Sequence, residues 1–218
     1  MREIFPGVFR DGRRLFTKSL IKEDKTYAKS LLNREGNQYR EWDPGKSKAA
    51  AAIMKRVKHF PLRPGSKVLY LGAASGATVS FFSDIVGEDG VVYAVEISER
   101  CVRDLNNTAE KRGNIVPIMA DARKPEDYDW VEPVDLVFED VASDEQSAII
   151  IRNAEKFLKP GGTAMIAIKS RSIDVVKDPA EVYRGEISKL GKHFRITEKR
   201  ELDPYEKDHM FVVMKYYS

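Results

Sequence analysis

KVLYLGAASGATVS, residues 67–80, is the stretch that decides how the rest of the chain reads. Val68, Leu69, Tyr70 and Leu71 form a short apolar run that stops abruptly at a loop of glycines and small residues. A buried parallel strand ends this way when the following loop must let a ligand approach the backbone. Gly72 and Gly76 bracket the loop, and residues 78–85 can begin a helix, so the pattern is strand, tight loop, helix. In a nucleotide-type α/β domain such a loop lies at the carboxyl end of the first strand, with free backbone N–H groups expected in the crevice. Gly72-Ala73-Ala74-Ser75-Gly76 is neither the G-x-G-x-x-G dinucleotide fingerprint nor a lysine-bearing phosphate loop. A cofactor without phosphate, such as S-adenosylmethionine, needs close backbone approach but no pyrophosphate cradle. An ordinary turn is the plainer alternative.

Downstream of the loop, strands and helices alternate, which predicts a parallel sheet covered by helices on both faces. The expected strands cover residues 91–95, 115–119, 134–138 and 163–168, with helices over 98–112 and 144–158 between them. Pro160-Gly161-Gly162 reads as the turn into the last of these strands. A further helix is expected over 178–190, then two strands over 194–202 and 210–216. The join between those two is too short for a crossover helix, so the last strand must run antiparallel to a neighbour.

Upstream, Ser47 is a fair N-cap for a helix over 48–57 that contains four consecutive alanines. Tyr39-Arg40-Glu41-Trp42-Asp43-Pro44 reads as an extended connector, because the residue before a proline avoids the helical region. Residues 1–37 read as short β segments broken by turns, with Asp11-Gly12 as a hairpin signal. The expected organisation is a small N-terminal β-rich domain with its connector, residues 1–55, and a catalytic domain, residues 56–218. Basic residues interleave with aromatics in the first 25 positions, which suits either an RNA or protein docking surface or a solvated face.

In a parallel sheet all carboxyl ends lie on one edge, where ligands bind. The first five sheet strands therefore deliver the Gly72 loop, Glu96, Asp121, Asp140 and Lys169 to a single rim. An antiparallel last strand starts on that edge and brings His209 there, and the helix preceding the first strand starts there too, at Lys48. Glu96 lies at the spacing from the glycine loop that ribose hydroxyl recognition requires, although strand-end acids are also commonly just solvated. Asp121-Ala122 can face an adenine amino group. Lys169 closes an apolar strand, and lysine is rarely buried without a partner.

The 37 basic residues exceed the 34 acidic ones by three, so the placement of charge matters more than its total. Cys101 is the single cysteine, which leaves no disulfide framework and no cysteine-built metal site; no metal is expected. No leader-like segment opens the chain and no apolar run approaches bilayer length, so no membrane is expected and a cytoplasmic setting is.

These residues resemble the fibrillarin family, in its short archaeal form, from about residue 39 to 211. The resemblance rests on VLYLGAASGATVS, NIVPIMADARKPEDY, FEDVA, IAIKSRSIDV and DPYEKDH, which begin at residues 68, 114, 138, 166 and 203. It implies a Rossmann-like class I methyltransferase with a seven-stranded, mostly parallel sheet whose last strand is antiparallel, beside the N-terminal unit. It implies S-adenosyl-L-methionine as cofactor, held by Gly72, Ala73, Ala74, Ser75, Gly76, Ala77 and Thr78, by Glu96 and Ile97, by Asp121 and Ala122, and by Asp140 and Gln146. It implies a catalytic set of Lys48, Asp140, Lys169 and His209 for RNA 2′-O-ribose methylation within a box C/D ribonucleoprotein. The implied partners are a Nop-family scaffold protein, a kink-turn-binding ribosomal-type protein, a box C/D guide RNA and the target rRNA or tRNA. The chain departs from the family pattern at Ser143-Asp144-Glu145, where Gln-Pro-Thr is usual, and at Gly45, where a bulky residue is usual; the Gly-Arg-rich arm of eukaryotic members is absent.

Other chemistries find less in the residues. An Asn/Asp-Pro-Pro-aromatic loop for base N-methylation is missing, and the fourth strand instead ends in Glu139-Asp140-Val141-Ala142. Cys101 falls in the helix after the second strand, which argues against the rim thiolate that C5 methylation needs. A catalytically silent RNA-binding or scaffold module is the reading from another class, and the four polar residues at the rim argue against it.

Overall fold

The computed structural model describes residues 1–217. It opens with five strands, β1 (Arg2–Phe5), β2 (Val8–Asp11), β3 (Arg14–Lys18), β4 (Leu31–Arg34) and β5 (Asn37–Glu41), in an antiparallel sheet of order β1-β2-β3-β5-β4. Asp11 pairs with Arg14 across the expected Asp-Gly hairpin. A second tight hairpin, Arg34 paired with Asn37, was not expected. Its turn residues Glu35 and Gly36 have φ of 51° and 76°, the left-handed pair that a two-residue hairpin loop requires. Residues 39–41 of the expected connector are therefore strand, and residues 42–47 link onward to the first helix.

The chain then runs through α1 (Lys48–Met54), β6 (Lys67–Leu71), α2 (Ala77–Val86), β7 (Val91–Glu96), α3 (Glu99–Arg112), β8 (Ile115–Met119), β9 (Val134–Glu139), α4 (Gln146–Phe157) and β10 (Leu158–Lys169). It closes with the short α5 (Ser170–Ile173), α6 (Pro179–Leu190), β11 (Phe194–Glu201) and β12 (His209–Tyr216). The sheet order is β11-β12-β10-β9-β6-β7-β8, and β12 alone runs opposite to the other six strands. α1 ends earlier than the alanine run suggested, because Arg56 turns left-handed at φ 61°. Pro160-Gly161-Gly162 is not a turn before β10 but an irregularity within it: Leu158 pairs with Val134 while Thr163 pairs with Leu136.

Alternation along the central strands sorts the core into two layers. Val68, Tyr70 and Phe138 face α1, α2 and α3, whereas Leu69, Leu71 and Val137 face α4 and α6. Val8, Leu15 and Trp42 of the N-terminal part belong to the same apolar cluster as Tyr70 and Phe138. Trp42 stacks on Phe81 of α2 at 5.2 Å and 13°. The N-terminal sheet is thus packed on α2 through core residues.

Candidate active site

The carboxyl ends of β6, β7, β8, β9 and β10 surround a cavity of about 420 Å³. Gly72, Ala74, Val95, Glu96, Ile97, Asp121, Ala122, Asp140 and Lys169 are among its lining residues. Gly72 has φ 80°, and a Cβ there would stand 2.9 Å from the backbone nitrogen of Val141. Glycine is therefore what lets the β6 loop lie against the end of β9.

The loop is held more tightly than its composition suggested. The N–H groups of Gly72 and Ala73 both donate to the Val95 carbonyl at 3.0 Å, and that of Gly76 donates to the Ala73 carbonyl. Ala74, left-handed at φ 47°, donates its N–H to Glu96 Oε2 at 2.8 Å. The expectation of free N–H groups aimed into the crevice is thus corrected at these four residues, because Val95 and Glu96 at the end of β7 accept from three of them and Ala73 within the loop accepts from Gly76. Glu96 also takes the Ser98 N–H at 2.8 Å on Oε1. Each of its oxygens has one protein donor and keeps a lone pair for a diol.

Asp121 and Ala122 line the cavity, and so does Arg123. The Arg123 guanidinium grips both Asp121 oxygens at 2.8–3.0 Å and holds that carboxyl below its ordinary range. Arg123 was missed at the sequence level, although an arginine two residues after a strand-end aspartate is a local pairing signal. Ser75, Ala77 and Thr78 follow the loop into α2 rather than facing this cavity. Thr78 donates its hydroxyl to Ser47 Oγ at 3.0 Å, so the start of α2 is tied to the N-cap of α1.

Gln146 does not line the cavity. It is fully buried, and its amide donates to the carbonyls of Val141 and Ala167 while its Oε1 accepts the Lys169 N–H at 2.8 Å. These bonds clamp the end of β10 to the loop after β9, and burial keeps the side chain off the cavity wall.

Beside the cavity, Lys169 and Lys48 converge on Asp140. Lys169 Nζ lies 3.0 Å and Lys48 Nζ 3.4 Å from the same oxygen, Oδ1. Lys169 Nζ also donates to the Asp140 carbonyl at 2.7 Å. Oδ1 is buried and receives no aligned hydrogen bond, so its attraction to both lysines is mainly coulombic. His209 opens β12 directly opposite Lys169, which puts the two side chains on the same face of the sheet. Its Nδ1 meets the Lys207 carbonyl at 2.7 Å. A carbonyl only accepts, so Nδ1 is the donor in this contact and Nε2 is the ring nitrogen left for other partners.

Glu139, adjacent in sequence, turns to the other face of the sheet. It is fully buried with neither oxygen partnered, and burial pushes its carboxyl well above the usual range despite the Lys169 charge. Of the pair Glu139-Asp140, only Asp140 enters the site. Among the described residues there is no cluster of three or more metal-ligating side chains, and no helix is long and apolar enough to cross a membrane.

The chain that carries this cavity and its rim is similar to known proteins. A fibrillarin-like rRNA/tRNA 2′-O-methyltransferase of Thermococcus onnurineus is 50% identical over 218 residues, covering 97% of this chain and 96% of that protein. An Aeropyrum pernix fibrillarin solved with natively bound S-adenosyl-L-methionine superposes with a TM-score of 0.86 at 44% identity, over 92% of this chain and 88% of that one. The fibrillarin of a fibrillarin/Nop5p complex gives a TM-score of 0.91 at 38% identity, over 99% of this chain and 100% of that one. The Fibrillarin family model matches residues 1–218, and on that full-length match the chain belongs to the fibrillarin family.

Proposed function

We propose that this protein is an S-adenosyl-L-methionine-dependent RNA 2′-O-ribose methyltransferase, the catalytic subunit of a box C/D guide ribonucleoprotein acting on rRNA and tRNA. The observation that carries the reading is the convergence of Lys169 and Lys48 on Asp140 beside a cavity edged by Glu96. The relatives named as 2′-O-methyltransferases support it, as does the relative that carries the cofactor.

The cavity suits the cofactor by its chemistry. Val95, Ala120, Ala122 and Ile149 offer apolar walls for an adenine, and Glu96 offers two acceptor oxygens for the ribose diol. Nothing in the loop demands a phosphate. When bound, the cofactor supplies an activated methyl group with its own leaving group, so the protein has only to position a ribose hydroxyl and remove its proton. Lys169 Nζ donates to the Asp140 carbonyl and is held near Oδ1 by charge, which leaves a direction free for the substrate hydroxyl. In the amine form that direction is the lone pair that accepts the 2′-proton. Lys48 shares the Asp140 charge and fixes its carboxylate, and His209 Nε2 accepts from the substrate ribose or relays the proton.

The ribonucleoprotein setting rests on relatives. The complex of a relative with Nop5p supports a Nop-family scaffold as partner, and a kink-turn-binding protein and guide RNA complete the particle we propose. The excess of three positive charges suits an enzyme handed its RNA by partners, because non-specific affinity comes mainly from phosphate neutralisation. A single cysteine suits the reducing cytoplasm. The test is a particle assembled with guide, target and radiolabelled cofactor. Lys169→Ala is expected to abolish methyl incorporation while the cofactor Kd stays within two-fold of wild type. Undiminished turnover by that variant would overturn the role of Lys169, and failure of the wild-type chain to bind the cofactor would overturn the reading of the cavity.

A further inference from the structure

Residues 19–30 join β3 to β4 and carry a side chain that reaches the cofactor loop. Tyr27 donates its hydroxyl to the Ser75 carbonyl at 2.6 Å. Tyr27 itself is left-handed at φ 60°, a costly conformation for an aromatic residue, kept only where the surroundings impose it.

The surroundings are two buried arginines. Arg40 of β5 donates to the Thr26 carbonyl, to Asp84 Oδ2 at 2.6 Å and to Ser80 Oγ at 3.1 Å. Arg112 at the end of α3 pairs with Asp24 and, at 2.8 Å, with Asp84 Oδ1 and the Ser80 carbonyl. The linker is thus fastened at residues 24 and 26 to α2, the helix that the cofactor loop begins, and Tyr27 follows immediately. The Asp24 carboxylate also takes the Thr26 N–H at 2.9 Å, which sets the turn that aims the ring. On the opposite side of the loop, Glu96 holds the Ala74 N–H. Ala74 and Ser75 are consecutive, so the left-handed kink of the loop is held from both sides.

We infer that Tyr27 is a positioning residue for the methyl-donor site, through which the N-terminal sheet sets the geometry of the loop at Ala74-Ser75. The inference rests on the cavity being the cofactor site. It makes the N-terminal unit a working part of that site. Tyr27 is about a third exposed and its hydroxyl makes one hydrogen bond, so removing only the oxygen leaves the fold intact.

The test compares the full-length wild-type chain with Tyr27→Phe and with Lys25→Ala, an exposed control in the same linker. Backbone amide exchange over residues 74–78 is measured without cofactor, and the Kd for S-adenosylmethionine by calorimetry. Tyr27→Phe is expected to exchange faster across that segment and to bind three- to ten-fold more weakly, the scale of one lost hydrogen bond. Its Tm should stay within about 2 °C of wild type, and in the assembled particle KM for the cofactor should rise with kcat unchanged at saturation. Lys25→Ala should match wild type throughout. Exchange unchanged, or a Kd within two-fold of wild type, would overturn the inference. If the wild-type chain bound no cofactor, the reading of the cavity would fall, while the exchange comparison would still decide whether Tyr27 fixes the loop.

Discussion

Two places in this protein bring two basic side chains onto one aspartate, and they are built oppositely. Between the N-terminal sheet and α2, Arg40 and Arg112 take one oxygen each of Asp84, and Asp24 adds the second negative charge. Two positive and two negative charges cancel, and the guanidinium ends are hydrogen-bonded to Thr26, Ser80 and Ser83. At the sheet rim, Lys48 and Lys169 share a single oxygen of Asp140, with no second acid in the ion pairing. The lattice uses planar forks whose donors are nearly all filled; the rim uses point charges with directions to spare. A neutral cluster whose unfilled donors, Arg40 Nε and Arg112 Nε, are buried can only hold elements together. An unsaturated one beside a cavity can still exchange a proton with something that enters.

The largest effect expected on this contrast is at the rim. Asp140→Asn removes the shared charge while keeping the shape, and turnover in the assembled particle should fall by roughly 100- to 10,000-fold, the usual scale for losing proton-transfer machinery. Its melting temperature should change little beside that; a variant with wild-type turnover would make the rim merely structural. The lattice should behave in reverse. Arg40→Met leaves Asp84 buried with less compensation and should cost about 3–5 kcal/mol in denaturant unfolding, the scale for breaking a buried pair. A loss under about 1 kcal/mol would show that the lattice does not fasten the N-terminal sheet to α2.

The smaller effects concern acids whose titration runs in opposite directions. Glu139 is buried without partners and its carboxyl is raised, so the folded state holds its proton more tightly than the unfolded chain does. Its contribution is complete below its ordinary value of 4.5 and is lost as pH rises above it. Glu139→Gln should therefore gain on the order of 1 kcal/mol at pH 8 and little at pH 4, read from urea unfolding at both. An equal shift at both would mean that the fold does not raise this carboxyl above its unfolded value. Asp24 is the converse. Burial pushes it up, but hydrogen bonds from Thr26 and the Arg112 charge outweigh that and leave it below its ordinary 3.8. Its contribution is present above that value and lost as pH falls further. Asp24→Asn should cost about 1 kcal/mol at pH 7, because Asn keeps the shape of a buried pair but loses its charge, and progressively less as pH falls below 3.8. A cost that persisted at pH 2 would place its origin in shape rather than charge.

The rim was legible in the sequence because topology did the work. Once 67–80 is read as strand, loop and helix, every parallel strand end shares an edge, and Lys48, Glu96, Asp140, Lys169 and His209 gather there without any knowledge of side-chain contacts. The lattice was not legible. Arg40, Asp84 and Arg112 lie 28 or more positions apart, and nothing local distinguishes a buried charge from a solvated one. The same limit concealed Tyr27, whose partner is 48 residues away, and turned Gln146 into a ligand contact when it is a clamp. The Glu35-Gly36 hairpin was missed for a nearer reason: Pro44 suggested an extended connector, and a strand and a connector share the same backbone region.

The central claim is that the rim methylates a ribose hydroxyl. Alkaline cleavage tests it at the atom concerned, because the 2′-oxygen must be free to attack the adjacent phosphate. Guide-selected target RNA is incubated with the assembled particle and cofactor and then partially hydrolysed at high pH. With the wild-type chain a single gap is expected in the ladder at the guide-specified nucleotide, and with Lys169→Ala an unbroken ladder. An unbroken ladder from wild-type particles that had nonetheless transferred methyl to the RNA would contradict the account, since the methyl would then reside elsewhere than on the 2′-oxygen.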